Sequence, residues 1–255
     1  MIITDTHAHI YSELFKDDRT QMMNRAISKG VSRFFVPAID SSYTEAMLDI
    51  EKLFPKNVFL MMGLHPTSVK ENYKEELANV KYWLDKRHFY GIGEIGIDLY
   101  WDKTFLRQQQ DAFKTQIEWA KERNLPVIIH IRDSFDEVFE VLDDVKDDQL
   151  FGIFHCFTGT KIQAEKALSY QMKLGIGGVV TFKNGKIDQF LQEISIKHIV
   201  LESDAPYLAP APHRGKKNES SYLPLVVDKL AQIYKLTPVE IAAITTQNSK
   251  DLFGI

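Results

Sequence analysis

Two histidines flank a single alanine in "TDTHAHI", residues 4–10. In a helix, residues two apart point in different directions; in a strand they share a face. A strand over 2–9 therefore gathers Asp5, His7 and His9, and three buried polar groups on one face need hydrogen-bond partners or a metal ion. Similar groups follow other short apolar runs: His65 in "GLHP", Glu94 in "GIGEIGID", His130 and Arg132 in "IIHIR", His155 in "GIFHC", and Glu202 with Asp204 in "VLESDAP". A lone histidine at a strand end is ordinarily a hydrogen-bonded structural residue, and that suffices for His130 or His155 taken singly. It does not suffice for the His7–His9 pair, whose imidazoles repel once protonated and need a shared partner. Nor does it suffice for Glu94, a carboxylate that is costly to bury unpaired.

Four imidazoles and two carboxylates exceed one tetrahedral shell. Two divalent ions sharing Glu94 fit better, because one carboxylate can hold two ions about 3.5–4 Å apart. One ion would take His7, His9, Glu94 and Asp204, the other Glu94, His130 and His155. Such a pair lowers the pKa of bound water toward ~7, so that a hydroxide between the ions becomes a nucleophile. Asp204 would steer it and accept its proton, which makes Glu94 and Asp204 the catalytic candidates. Glu202 shares parity with Asp204 and is placed to orient a ligand histidine. Imidazole-rich sites favour Zn, Mn, Ni or Fe.

The elements that must position these groups alternate regularly. Strand-like runs at 2–5, 32–38, 57–64, 89–95, 125–131, 150–156, 173–180 and 197–203 are separated by amphipathic stretches at 19–29, 42–53, 74–86, 105–123, 134–145, 160–170 and 186–194. Two more, 222–235 and 238–250, follow. Ser42, Ser134 and Thr160 are expected helix N-caps, and "TPVE" at 237–240 reads as a capping box with proline at the first helical position. Strict alternation implies parallel strands joined by crossover helices, and eight repeats in 255 residues match a (β/α)₈ TIM barrel better than the alternative, a doubly wound open sheet, which usually has fewer strands and often a glycine-rich phosphate loop after the first. In that fold the active site lies at the C-terminal strand ends, where five of the eight histidines then fall, with His213 able to join from the loop 204–221. No linker or low-complexity segment divides the chain, so 1–255 is expected to be one domain.

A net charge of −4 with 44% hydrophobic residues describes a globular body rather than a general polyanion binder. One cysteine, Cys156, excludes an internal disulfide framework; opposite in parity to His155, it is expected to face the helices. No run is long and apolar enough for a membrane span, and no secretion signal is evident, so a cytoplasmic monomer is expected. The GxSxG and GxxxxGK motifs are missing.

These stretches together resemble the TatD family of metal-dependent nucleases, within the amidohydrolase-like barrels. "DTHAHI", "GLHP", "GEIGID", "PVIIHIRD", "HCFTG", "LESDAPYLAP" and "RGKKNES" carry the likeness from the first strand to the last loop. One departure is Ser220, where the family often has proline after Asn-Glu. The resemblance implies metal ligands at His7, His9, Glu94, His130, His155 and Asp204, activity with Mg, and a phosphodiester substrate (single-stranded DNA, or RNA) degraded from its 3′ end. Arg132 can then grip a phosphate with its bidentate fork and His65 can donate a hydrogen bond. Tyr207 can stack on a base, and Arg214, with Lys216 and Lys217, adds local positive charge. Tyr100 and Trp101 are further stacking candidates, with packing beneath the loop the favoured expectation. Hydrolysis of an ester or amide bond, as in a deacylase of aminoacyl-tRNA, is the alternative.

Overall fold

Short runs of branched and aromatic residues make the strands, and each needs a covering helix to bury its outer face. The computed structural model describes residues 1–255 and shows eight parallel strands: β1 (Ile3–Asp5), β2 (Val31–Val36), β3 (Val58–Leu60), β4 (Ile92–Asp98), β5 (Val127–Arg132), β6 (Gly152–Phe154), β7 (Met172–Ile176) and β8 (Ile199–Leu201). Eight helices accompany them: α1 (Arg19–Ser28), α2 (Thr44–Leu53), α3 (Tyr73–Lys86), α4 (Leu106–Arg123), α5 (Phe135–Val145), α6 (Lys161–Ser169), α7 (Leu223–Tyr234) and α8 (Pro238–Phe253). The fold is a (β/α)₈ TIM-barrel-like one. Its strands form a three-stranded and a five-stranded sheet. Two seams join them: a Met62–Ile92 bridge, and on the far side an Ala8–Ala205 bridge reinforced by Thr6 N donating to Leu201 O. No helix is long and apolar enough to cross a membrane.

Two layers of apolar packing result. Between strands and helices lies a cluster of 61 buried residues running from Ile3 to Ala242. A smaller cluster of Phe35, Met61, Ile128, Ile153 and Val200 is completed by Leu252 and Phe253 at the end of α8. Phe253 stacks on Phe35 with ring centroids 3.6 Å apart. Strand alternation carries the inward direction onward from Ile128 to His130 and from Val200 to Glu202.

Thr160 and Thr237 begin α6 and α8 with complete capping boxes. Three other expectations need correction. Ser42 lies in a 3₁₀ turn capped by Asp40 ahead of α2. Ser134 sits at the N-cap of α5 without bonding its backbone; its hydroxyl instead donates to Ile97 O on β4. The stretch 186–194 forms two 3₁₀ turns, Ile187–Gln189 and Leu191–Glu193, rather than an α-helix. So short a segment gains little from helix nucleation, and the Tyr234 hydroxyl bonds the carbonyls of Leu191 and Ile194 from α7.

Phe253→Ala should lower the unfolding free energy by about 3 kcal/mol, as expected for emptying a packed aromatic site. Urea denaturation measures this, and bound metal per folded chain should be unchanged.

Candidate metal centre

The seam between β8 and β1 sets the first donors. Asp204 N donates to His7 O, and His9 N donates to Ala205 O, so His7, His9 and Asp204 sit on one short ladder. Beneath it, the buried Asp5 carboxylate accepts from Ser203 N at 2.9 Å and Ser203 Oγ at 2.6 Å. Glu94 enters from β4, where pairing with β5 shifts register between Ile92 and Ile95. His130 lies within β5, and His155 follows the end of β6.

The Glu94 carboxylate divides its oxygens between two sets of imidazoles. Oε2 lies 3.0 Å from His7 Nε2 and 3.3 Å from His9 Nε2. Oε1 lies 2.7 Å from His130 Nδ1, 3.2 Å from His65 Nε2 and 3.6 Å from His155 Nε2. Asp204 Oδ1 is 3.8 Å from both His9 Nε2 and His155 Nε2. The His7 and His155 rings stack with centroids 3.5 Å apart.

The donor set fits divalent cations. Glu94 is 2% exposed, yet Oε2 has no hydrogen-bond partner, and leaving a buried carboxylate oxygen unpaired is costly. The Nε2 atoms of His7 and His9 approach to 3.2 Å, close contact for two groups that attract only as donor and acceptor or through a shared cation. Three triads of ligand atoms are compact enough to hold an ion: His7–His9–Glu94, His7–His155–Asp204 and His65–Glu94–His130. The cluster thus forms two divalent-metal sites. His65 is set apart by its tautomer. Its Nδ1 accepts from Thr67 N at 3.1 Å, which leaves the proton on Nε2 aimed at Glu94, a hydrogen-bond donor rather than a lone pair.

Other ring nitrogens are fixed from behind. Tyr11 Oη donates to Pro37 O and so receives the proton of His9 Nδ1 at 2.8 Å, freeing Nε2 to bind. Glu202 Oε1 lies 3.0 Å from His155 Nδ1 and accepts from Cys156 N. Its other oxygen occupies the space where a Cβ on Gly175 would stand, only 2.1 Å away. Asp98 Oδ2 holds His130 Nε2 at 2.9 Å.

Charge follows this packing. Burial would raise the Glu94 carboxyl, but His65, His7 and His155 outweigh it and hold it well below its ordinary value. Burial, reinforced by the nearby His155, lowers His7 against the opposing pull of Glu94. Burial also works against protonated His155, but Glu202 and Glu94 overcome it and raise that imidazole to about 10. Burial pushes Asp204 up to about 6 against His155 and His9.

A cavity of about 590 Å³ opens over the cluster, lined also by His65, Arg132, Tyr207 and Trp101. Arg214 is seated on Phe182 and Asn184, outside that lining. Lys217 is engaged by Asp18, and His213 stacks on Tyr222 instead of joining the centre. Cys156 corrects a parity expectation: it lines the cavity, because β6 stops at Phe154 and Cys156 adopts a left-handed backbone with φ 43°. Tyr100 and Trp101 are exposed rather than packed under the loop. Asp98 and Tyr11, which hydrogen-bond His130 and His9, are not among the residues singled out from the sequence. Strand parity points to Asp98, four residues after Glu94 on the same strand.

Residues 4–254 match the profile of the TatD related DNases. The chain belongs to that family. It is 38% identical to the uncharacterized metal-dependent hydrolase YabD of Bacillus subtilis strain 168, over the whole of both chains. It is 27% identical to the 3′-5′ ssDNA/RNA exonuclease TatD of Erwinia tasmaniensis, covering 98% of this chain and 99% of the relative. The crystal structure of YjjV, a TatD homolog from Escherichia coli K12, superposes with a TM-score of 0.92 at 26% identity, covering 99% of this chain and 98% of that one. The protein is a metal-dependent hydrolase related to the TatD DNases.

Elemental analysis of protein loaded with Mn or Zn should find two ions per chain, and Glu94→Ala should lose both. Glu202→Gln should weaken one of the two by about 10–100-fold, as is usual when a ligand histidine loses its supporting carboxylate.

Proposed function

We propose that the protein is a phosphodiesterase that trims single-stranded DNA, and RNA, from the 3′ end. The observation that carries this reading is the Glu94 carboxylate with its oxygens split between two imidazole sets, beside an arginine that lines the same cavity. A two-ion site stabilises both the attacking and the leaving oxygen of an in-line displacement at phosphorus. The name of the Erwinia relative supplies the 3′-5′ direction, and a cavity of about 590 Å³ suits a strand end better than a continuous duplex.

His7, His9, Glu94, His130, His155 and Asp204 would hold the two ions, which supply Lewis acidity at the phosphoryl oxygens and ready deprotonation of water. Mg, Mn, Zn and Ni are the candidates. Arg132 binds a non-bridging phosphate oxygen through its fork, and His65 offers its Nε2 proton to Glu94 or to an incoming oxygen. The Asp204 carboxylate takes the proton from the attacking water. As the ester P–O bond breaks, that proton passes to the departing alkoxide. Asp204 lines the cavity with Oδ1 3.8 Å from His9 Nε2 and His155 Nε2, within reach of a water held at the centre, which is the geometry a proton acceptor needs. Tyr207, about half exposed beside His9, can stack on the terminal base.

Purified protein incubated with 5′-labelled single-stranded DNA across a metal panel should give a ladder shortening from the 3′ end, abolished by EDTA. Arg132→Ala should reduce phosphodiester cleavage at least tenfold, in line with the ~1.5–3 kcal/mol of a charged hydrogen bond, while sparing a neutral ester. If ester or amide substrates turn over and DNA of every form stays intact, the phosphodiesterase reading is wrong.

A further inference from the structure

The segment after β4 presents two large aromatic rings to solvent. Tyr100 is 53% exposed and Trp101 70%, with centroids 4.9 Å apart and planes at 88°. Single exposed aromatics need no explanation, but these two carry a third group. The Arg132 Cζ lies 3.8 Å from the Tyr100 ring centroid and 5.3 Å from that of Trp101. The guanidinium is held by π faces rather than by a carboxylate, so its charge and hydrogen-bond donors stay available to an anion.

The segment is tied down from below. Asp98 Oδ1 accepts from Tyr100 N at 3.0 Å and from Trp101 N at 3.3 Å, while Asp98 Oδ2 meets His130 Nε2 at 2.9 Å. Leu99 N donates to Arg132 O at 2.9 Å. Beyond the rings, Asp102 pairs with Lys70 at 3.2 Å. One buried carboxylate thus grips both a metal-centre histidine and the backbone of the aromatic pair. Trp101, Asp98, His130 and Arg132 line the same cavity.

We propose that Trp101, Tyr100 and Arg132 form a stacking subsite for one nucleobase of an unpaired strand, next to the nucleotide being cleaved, with Arg132 on the phosphate between the two. The proposal deepens the phosphodiesterase reading and rests on it. Every base has a π face, so such a platform is tolerant of sequence. It does demand a base free of its own stack and pair, and it therefore discriminates against duplex ends. The rings and the guanidinium together match a nucleotide, planar base plus anionic linker, and neither half alone accounts for both.

The test uses single strands of one sequence, either intact or with an abasic residue moved through the three positions nearest the 3′ end. Wild type, Trp101→Ala and Trp101→Phe are compared by steady-state cleavage in the metal-loaded state. Binding of fluorescein-labelled strands to EDTA-treated protein is measured by anisotropy in parallel. Trp101→Ala should raise KM and Kd for the intact strand about tenfold, the scale of one lost base stack, with Trp101→Phe recovering most of the loss. One abasic position should cost wild type a similar factor and cost Trp101→Ala nothing further. An equal abasic penalty in both proteins, or an unchanged KM and Kd in Trp101→Ala, overturns the subsite. Failure of the parent reading looks different: the loaded wild type cleaves no strand at all, and the anisotropy arm still decides whether Trp101 holds a base.

Discussion

A single buried carboxylate organises this molecule. Glu94 would be costly to desolvate alone, and it survives because imidazoles from four separate segments close around it. Its two oxygens address different neighbours, so a carboxylate that could have formed one ion pair instead defines two adjoining positions. The strand that carries it is shaped for the purpose. A Cβ on Gly93 would stand 2.6 Å from Ile128 Cβ, and one on Gly96, at φ +138°, only 2.1 Å from His130 O. The glycines of "GIGEIGI" let β4 press against β5 closely enough for Glu94 and His130 to meet.

Orientation is then imposed in tiers. Tyr11 and Asp98 each hold one nitrogen of a histidine by a hydrogen bond, Glu202 lies 3.0 Å from a third as its ion-pair partner, and each is in turn fixed by backbone: Tyr11 by Pro37 O, Glu202 by Cys156 N, Asp98 by the amides of Tyr100 and Trp101. A ring held at both edges has one tautomer and little freedom to rotate, as preorganised metal chemistry requires. The contrast between His9 and His65 shows how much this matters. Both rings point Nε2 at Glu94, but Tyr11 leaves a lone pair on the first and Thr67 leaves a proton on the second.

Alternation of apolar runs with amphipathic stretches was enough to read eight strands and a barrel, because that pattern is what the fold physically requires. The positions around the cluster were legible for the same reason wherever the backbone stays extended: Glu94, His130 and Glu202 follow from parity and strand ends, whereas Asp204 reaches the cluster from a left-handed turn with φ 55°. Legibility fails where the strand stops. Cys156 turns toward the cavity because its backbone is left-handed, and Ser134 spends its hydroxyl on Ile97 in place of capping its helix. The turns at 186–194 keep a helical spacing of apolar residues while α7 supplies the bond that a helix would have made. Tyr100 and Trp101 have no local signal that separates a covered ring from an exposed one; tertiary packing alone settles that.

The seam that joins β8 to β1 has a consequence for assembly in the cell. Asp5 and Ser203 are 198 positions apart, and His7 and His9 meet Asp204 across the same gap. Contacts so distant in the chain carry a large loop-closure entropy, and the donors on this ladder meet only once β8 has docked on β1. The complete set of donors is therefore a property of the closed barrel and of no shorter piece of the chain.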